Sequence, residues 1–470
     1  MSSTPSDITP IQSDLVPPGS PAVQERPRRG GHWIDDWRPE DPTFWEKTGA
    51  KIAKKNLIYS VTSEHIGFSV WSLWSVIVLF LGPDYGIDPA GKFLLTALPT
   101  LAGAALRLPY TFAVATFGGR NWTIISALLL LVPTTLIGIF LTPGVSYTTL
   151  LIVATFAGVG GGNFASSMTN INAYYPQRLK GWALGINAGG GNLGVPVVQL
   201  IGLLILATVG AGYPRLLVVI YIPLIIIAAV LSARNMNNLS QMTNSKRAMR
   251  DVSKDRNTWI ISLLYIGTFG SFIGFSFAFG QVLQVQFADI FSTPVKAAYL
   301  TFIGPLIGSL IRPVGGHLAD RFGGSKVSFV NFVAMALGAS VVLTASLLQS
   351  LPLYLVGFVM LFAFSGLGNG SVYKMIPAIF KAKSGTEIIN GADPTTSLAK
   401  SQRYAGALIG IAGAIGAFGG VLVNLAFRQS FLATKSADSA YIAFIAFYAV
   451  CFAVTWFVYI RESPRKLEGV

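Results

Sequence analysis

Twelve runs of about 20 apolar residues recur along the chain, at residues 57–82, 92–116, 122–142, 147–175, 182–209, 214–234, 258–287, 297–318, 325–347, 352–380, 402–428 and 438–460. Each is long enough to cross a hydrocarbon core of about 30 Å as an α-helix. Nothing else in the sequence constrains the fold as strongly. Backbone N–H and C=O groups find no water inside a bilayer, so a spanning segment must satisfy them internally, and an apolar run does so as a helix. Only 11% of the 470 residues are charged, against about 25% in a soluble domain. The chain therefore reads as an all-α integral membrane protein with twelve transmembrane helices. Many of its 50 glycines and 25 prolines fall inside the spans, where membrane helices use them for bending and close packing.

Lys and Arg in the connections set the orientation. The N-terminal segment, every second loop and the C-terminal segment carry nearly all of them, whereas the opposite side holds only Lys92, Arg215, Lys296, Arg428 and Lys435. Both termini are therefore expected in the cytoplasm, in the inner membrane of a bacterium. The net charge of +14 is this inside bias, spread over short loops, and implies no nucleic-acid partner. Residues 1–30 are rich in Pro, Ser and Thr, show no secretory-signal pattern and are expected to be disordered. "HWIDDWRPEDPTFWEKTG" mixes Trp, Phe and charges, as a segment lying at the membrane interface does.

The single cysteine, Cys451, lies inside the last span, and His32, His65 and His317 have no ligand spacing. No metal, cofactor or nucleophile–base pair is implied, so the chain is not expected to be an enzyme. The chain is expected to work as a monomer in the lipid bilayer.

Halving the chain at 235–257 leaves six spans on each side, and the halves echo each other. Arg107 is followed ten residues later by Phe117-Gly118-Gly119, and Arg312 ten residues later by Phe322-Gly323-Gly324. "GGGNFASS" at 160–167 matches "GLGNGSVY" at 366–373, pairing Asn163 with Asn369. In span 5, "ALGINAGGGNLG" resembles "LIGIAGAIGAFGG" of span 11, with Gly185, Gly191 and Gly194 falling on Gly410, Gly416 and Gly419. Two pseudo-symmetric six-helix halves describe a transporter that rocks about a midplane site. The expected organisation is an N-terminal tail with interfacial segment (1–56), a first half (57–234), a central cytoplasmic loop (235–257), a second half (258–461) and a C-terminal tail (462–470).

Arg107 and Arg312 each sit about 15 Å, ten residues at 1.5 Å, from the cytoplasmic end of their spans. That is mid-bilayer, where a charge is functional by default. Pro109 and Pro313 stand beside them and are expected to distort the helices locally. Of twenty acidic residues, only Glu64 lies well inside a span. Two guanidiniums with at most one resident carboxylate leave a positive site whose missing counterion is the substrate. A guanidinium is a planar fork matched to oxyanions, so two forks suit a small planar or tetrahedral oxyanion. Asn163, Asn170, Asn172, Asn187 and Asn192 add amides that hydrogen-bond an anion without adding charge. Ser166 and Ser167 lie in the same stretch and read as helix–helix glue.

"GGHLADRFGGSKV", between spans 8 and 9, resembles the short loop motif of the major facilitator superfamily. "DWRPEDPTFWEKTGAKIAKKNL", "LRLPYTFAVATFGGRNWT", "NFASSMTNINAYYPQRLKGWALGINAGGGNLG", "LLYIGTFGSFIGFS" and "RPVGGHLADRFGG" together resemble the nitrate/nitrite porter family of that superfamily. The resemblance runs from about residue 35 to the C-terminus. It implies nitrate, or nitrite, as substrate, clamped by Arg107 and Arg312, with Asn187 and Tyr265 as further ligands and aromatics such as Phe269 walling the site.

Two positions depart from the antiporter branch of that family, Glu64 in span 1 and Lys374 in span 10. A carboxylate in a low-dielectric span can take up a proton and carry it with the substrate. Glu64 is thus a proton-coupling candidate, with His65 as a possible relay and Lys374 either paired to Glu64 or snorkelling to the membrane surface. The sequence points to a secondary transporter importing nitrate by symport with protons. The alternatives are a nitrate/nitrite antiporter, an organic-phosphate exchanger and a membrane-embedded anion sensor without net transport.

Overall fold

The computed structural model describes residues 31–242, 246–462, 467 and 470; the expected disorder of residues 1–30 falls outside them. Among the described residues, twelve helices are long and apolar enough to cross a membrane. In the first half they are Pro42–Phe80, Pro89–Phe117, Gly119–Phe140, Tyr147–Tyr174, Gln177–Thr208 and Leu216–Asn235, called spans 1 to 6. In the second they are Arg256–Gln286, Pro294–Phe322, Gly324–Leu347, Leu351–Ile389, Pro394–Thr434 and Asp438–Ile460, spans 7 to 12.

Spans 2 and 8 run unbroken through Pro109 and Pro313, because a proline removes only one helical hydrogen bond and packed neighbours hold the rest of the ladder. Irregular turns occur elsewhere: Trp45–Gly49 of span 1, Ile266–Gly270 of span 7 and Trp456–Ile460 of span 12 are π-helical, a widening often found at functional sites. Residues 381–401, between the expected spans 10 and 11, are largely helical. Span 10 continues as helix to Ile389, and span 11 begins at Pro394. Gly391 turns the chain with φ +94, and the Asp393 carboxylate caps the new helix by accepting from Thr396 N at 2.7 Å. Lys400 pairs with Glu387 across this hairpin at 2.7 Å.

The segment expected at the membrane interface packs against protein. Strand β1 (Trp33–Ile34) pairs in parallel with β2 (Asn238–Leu239), just after span 6. Trp37 is buried and donates its Nε1–H to the Ala173 carbonyl at 3.2 Å. Trp45 is buried too, edge-on to Tyr175 at 5.6 Å. Gly118 makes the fit possible: its φ is +91, and a Cβ there would strike the Asn238 amide and the Trp33 ring. The strap joins the ends of spans 1, 2, 4 and 6 on the side that carries the N-terminal segment.

On the opposite side the halves are closed against each other. Phe93 of span 2 stacks on Phe427 and Phe431 of span 11 at 5.7 and 5.4 Å. Thr96 donates to Asn424 Oδ1 at 2.7 Å, and Gln281 Nε2 donates to the Pro89 carbonyl at 2.5 Å. Between this seal and the strap, at the interface of the halves, lie the two arginines.

Candidate anion site

Arg107 is fully buried and ties the halves together. Its Nε donates to the Gly161 carbonyl of span 4 at 3.2 Å, and its Nη1 to the Gly413 carbonyl of span 11 at 2.8 Å. The guanidinium carbon lies 4.5 Å from the Phe164 ring centroid, 4.8 Å from Phe269 and 5.6 Å from Trp71. These π faces favour a cation while excluding water. One nitrogen remains: Nη2 is buried without a hydrogen-bond partner.

Arg312 approaches from the second half. Its carbon lies 5.7 Å from the same Phe164 ring and 5.8 Å from Tyr373, so one phenyl ring is shared by both cations. Nη2 reaches the Tyr265 hydroxyl at 3.4 Å, and Nη1 is buried and unpartnered. Tyr265 stacks on Phe269 at 5.2 Å and tilts against Tyr373 at 6.0 Å. The π-helical turn carries Phe269 and begins directly after Tyr265. Arg107 commits Nε and Nη1 to backbone carbonyls, which leaves Nη2 unpartnered, and Nη1 of Arg312 is likewise unpartnered.

Glu64 is buried, and its carboxylate accepts from Ser167 Oγ–H and, at 2.6 Å, from Asn187 Nδ2. Asn187 also donates to Ser167 Oγ at 2.9 Å. Both guanidiniums lie within electrostatic reach of the carboxylate. The glycine ladder makes the room: a Cβ on Gly191 would land on the Glu64 carboxylate, and one on Gly416 would land on the Tyr265 ring. Since Gly191 and Gly416 are partners in the internal repeat, Glu64 occupies in the first half the place of Tyr265 in the second.

The remaining candidates separate. Asn163 is buried against Gly67 of span 1, with neither amide atom hydrogen-bonded. His65 engages the Gly190 carbonyl through Nδ1 at 3.1 Å, away from the carboxylate it was expected to serve. Lys374 does not pair with Glu64. Its ammonium donates to both oxygens of Asp320 at 2.8 and 2.9 Å, because Asp320 lies one helix away at the same depth while Glu64 lies in the other half.

Tyr373 was missed in the sequence. Its hydroxyl is buried and unpartnered beside Arg312, and the repeat that aligns Asn163 with Asn369 aligns Ser167 with Tyr373. Ser167, read as glue, is a Glu64 ligand. Phe164 was passed over because an apolar residue in a span carries no signal of its own. Among the described residues no group of His, Cys, Asp and Glu could hold a metal ion.

Known proteins resemble the chain over most of its length. The sequence model of the Major Facilitator Superfamily matches residues 66–392. The nitrate/nitrite transporter NarU of Salmonella typhimurium is 38% identical over 460 residues, covering 92% of this chain and 97% of that protein. The probable nitrate/nitrite antiporter NarK2 of Thermus thermophilus is 32% identical over 461 residues, covering 93% and 98%. Among solved structures, the xylose transporter XylE from E. coli, in a partially occluded inward-open conformation, superimposes with a TM-score of 0.61 at 14% identity, covering 88% of this chain and 99% of that one.

Proposed function

The chain belongs to the nitrate/nitrite porter family of the major facilitator superfamily, and from that premise we propose that it imports nitrate together with protons by alternating access. Nitrate/nitrite transport itself follows from the relatives. The substrate site we assign to the uncommitted nitrogens Arg107 Nη2 and Arg312 Nη1, with Tyr265 and Tyr373 offering hydroxyls and Phe164 and Phe269 as walls. The anion enters from the side opposite the termini and leaves on the side of the termini, the cytoplasm.

One observation carries the coupling: a carboxylate, Glu64, is buried within electrostatic reach of both guanidiniums. A carrier with two bare cations at its centre cannot easily change faces without its anion, because the uncompensated charge would cross the low-dielectric interior. That restriction makes an exchanger. A symporter must return empty, and an ionised Glu64 supplies the compensating charge; protonated, it lets the anion take over. The competing reading, nitrate/nitrite exchange, is favoured by the name of the Thermus relative.

Nitrate uptake into vesicles, with and without an imposed pH gradient, tests the reading. Acid outside should accelerate uptake, and Glu64→Gln should abolish the acceleration while keeping nitrate counterflow. Acceleration that survives in Glu64→Gln refutes the role of Glu64.

A further inference from the structure

We infer that Asn187 transmits the protonation of Glu64 to the anion site: the ionised carboxylate holds the Asn187 amide nitrogen, and protonation releases that nitrogen to nitrate. The inference rests on the proposed proton coupling and adds the residue through which it acts.

The hydrogen bonds carry it. A carboxamide has two N–H donors and one acceptor oxygen. Asn187 directs its donors to Glu64 Oε2 at 2.6 Å and to Ser167 Oγ at 2.9 Å. Its own acceptor, Oδ1, is buried without a partner, as is Glu64 Oε1. The arrangement therefore suits an ionised carboxylate, which only accepts, and leaves two acceptors with nothing to accept. Adding a proton to Glu64 reverses the match. The new O–H is a donor that Asn187 Oδ1 can accept once the carboxamide turns over, and the turn carries Nδ2 off the carboxyl group. Ser167 has a second acceptor at hand, since its hydroxyl also reaches the Phe164 carbonyl at 3.1 Å. In the protonated arrangement the acid O–H and Asn187 Oδ1 are paired, Ser167 keeps an acceptor, and the Asn187 N–H pair is released. The anion site is close by: Ser167 lies one helical turn from Phe164, whose ring lies against both guanidiniums.

The charged and titratable groups around Glu64 are few. Arg107 faces it from span 2, Arg312 from span 8 and the Tyr373 phenol from span 10. Spans 4 and 5 bring the neutral Ser167, Asn187 and Gly191. On span 1 itself His65 is held by Gly190 O. Protonating Glu64 strengthens anion binding through charge alone, with or without Asn187. The amide adds a hydrogen bond that exists only in the protonated state, and this makes the cost of removing it depend on pH.

The test is calorimetric titration of the purified full-length protein with nitrate at about pH 5.5 and about pH 9, for wild type, Asn187→Ala, Glu64→Gln and the double variant. Asn187→Ala should weaken nitrate binding about ten- to a hundredfold at the acid end, the range for a hydrogen bond to a charged group, and no more than about twofold at the alkaline end. On the Glu64→Gln background the same substitution should cost the same at both ends. Affinities come from the titration midpoints of the folded fraction, so a smaller yield of folded variant does not alter the comparison. A cost of Asn187→Ala that is equal at both ends, or absent at both, overturns the inference. Vesicles in which wild type shows no nitrate-linked proton movement overturn the proton-coupled reading and this inference with it. Proton movement together with a pH-independent Asn187 cost overturns this inference alone.

Discussion

Arg107→Lys and Arg312→Lys separate the two jobs that a buried guanidinium can do here. Lysine keeps the charge but not the fork. At position 107 it loses the Nε–H to the Gly161 carbonyl, and its ammonium must choose between the Gly413 carbonyl, now bonded at 2.8 Å, and the anion. A hydrogen bond to a charged group contributes about 1.5–3 kcal/mol. Losing the one to nitrate therefore weakens binding roughly 10- to 150-fold at about 1.4 kcal/mol per decade. The lost backbone tie destabilises the fold by a similar amount, about 1.5–3 kcal/mol. Arg312 makes no backbone tie of this kind among the described residues, its hydrogen bond being a 3.4 Å contact to Tyr265, so its lysine variant should lose as much nitrate affinity and much less stability. Calorimetric titration gives the affinities, and melting temperatures in detergent give the stabilities. A lysine variant that binds nitrate within threefold of wild type refutes the clamp, and equal melting temperatures refute the division of labour.

Lys374→Gln should keep nitrate-dependent proton movement in vesicles, because the ammonium pairs with Asp320; loss of that movement returns Lys374 to the coupling path. Gly191→Ala puts a methyl group on the Glu64 carboxylate and should depress proton movement several-fold, whereas Gly185→Ala, which meets open space, should not; equal effects refute the contact. At the membrane surface, Asp255 is paired with Lys383. Burial alone would push the Asp255 carboxyl up, but the Lys383 ammonium and the Asn257 N–H override it and hold it below the ordinary 3.8. A carboxyl held down in the folded state adds stability above its ordinary value and loses it as pH falls through the folded one. Hydrogen exchange in the neighbouring helix Lys246–Ser253, corrected for intrinsic rate, should accelerate as pH drops below 3.8. Protection that ignores pH there refutes the tie.

The twelve spans were legible because a bilayer turns hydrophobic length into structure almost without context. The arginines were legible for the converse reason, that charge stands out against such a background. Partners were not legible, because they are set by tertiary contacts. Gly413 lies 306 residues from Arg107, and a backbone carbonyl leaves no trace in the side-chain pattern. Asp320 as the partner of Lys374 was equally hidden, since the acidic census counted carboxylates inside spans and Asp320 stands at a span end. The contacts of Trp37 and Trp45 were hidden because an interfacial segment and a buried strap use the same amphipathic residues. Tyr373 stood at the end of the repeat "GLGNGSVY", opposite Ser167, and went unread because the match there is between unlike residues.

The central claim is that one nitrate moves inward with protons and that the carrier can return without an anion. Proteoliposomes free of internal nitrate and nitrite test it most directly, with a pH electrode outside and nitrate added to the medium. Proton-coupled import requires the external solution to turn alkaline on nitrate addition, and Glu64→Gln to abolish the change. No alkalinisation by wild type, alongside ready exchange once nitrite is loaded inside, would make the protein an antiporter and contradict the role given to Glu64.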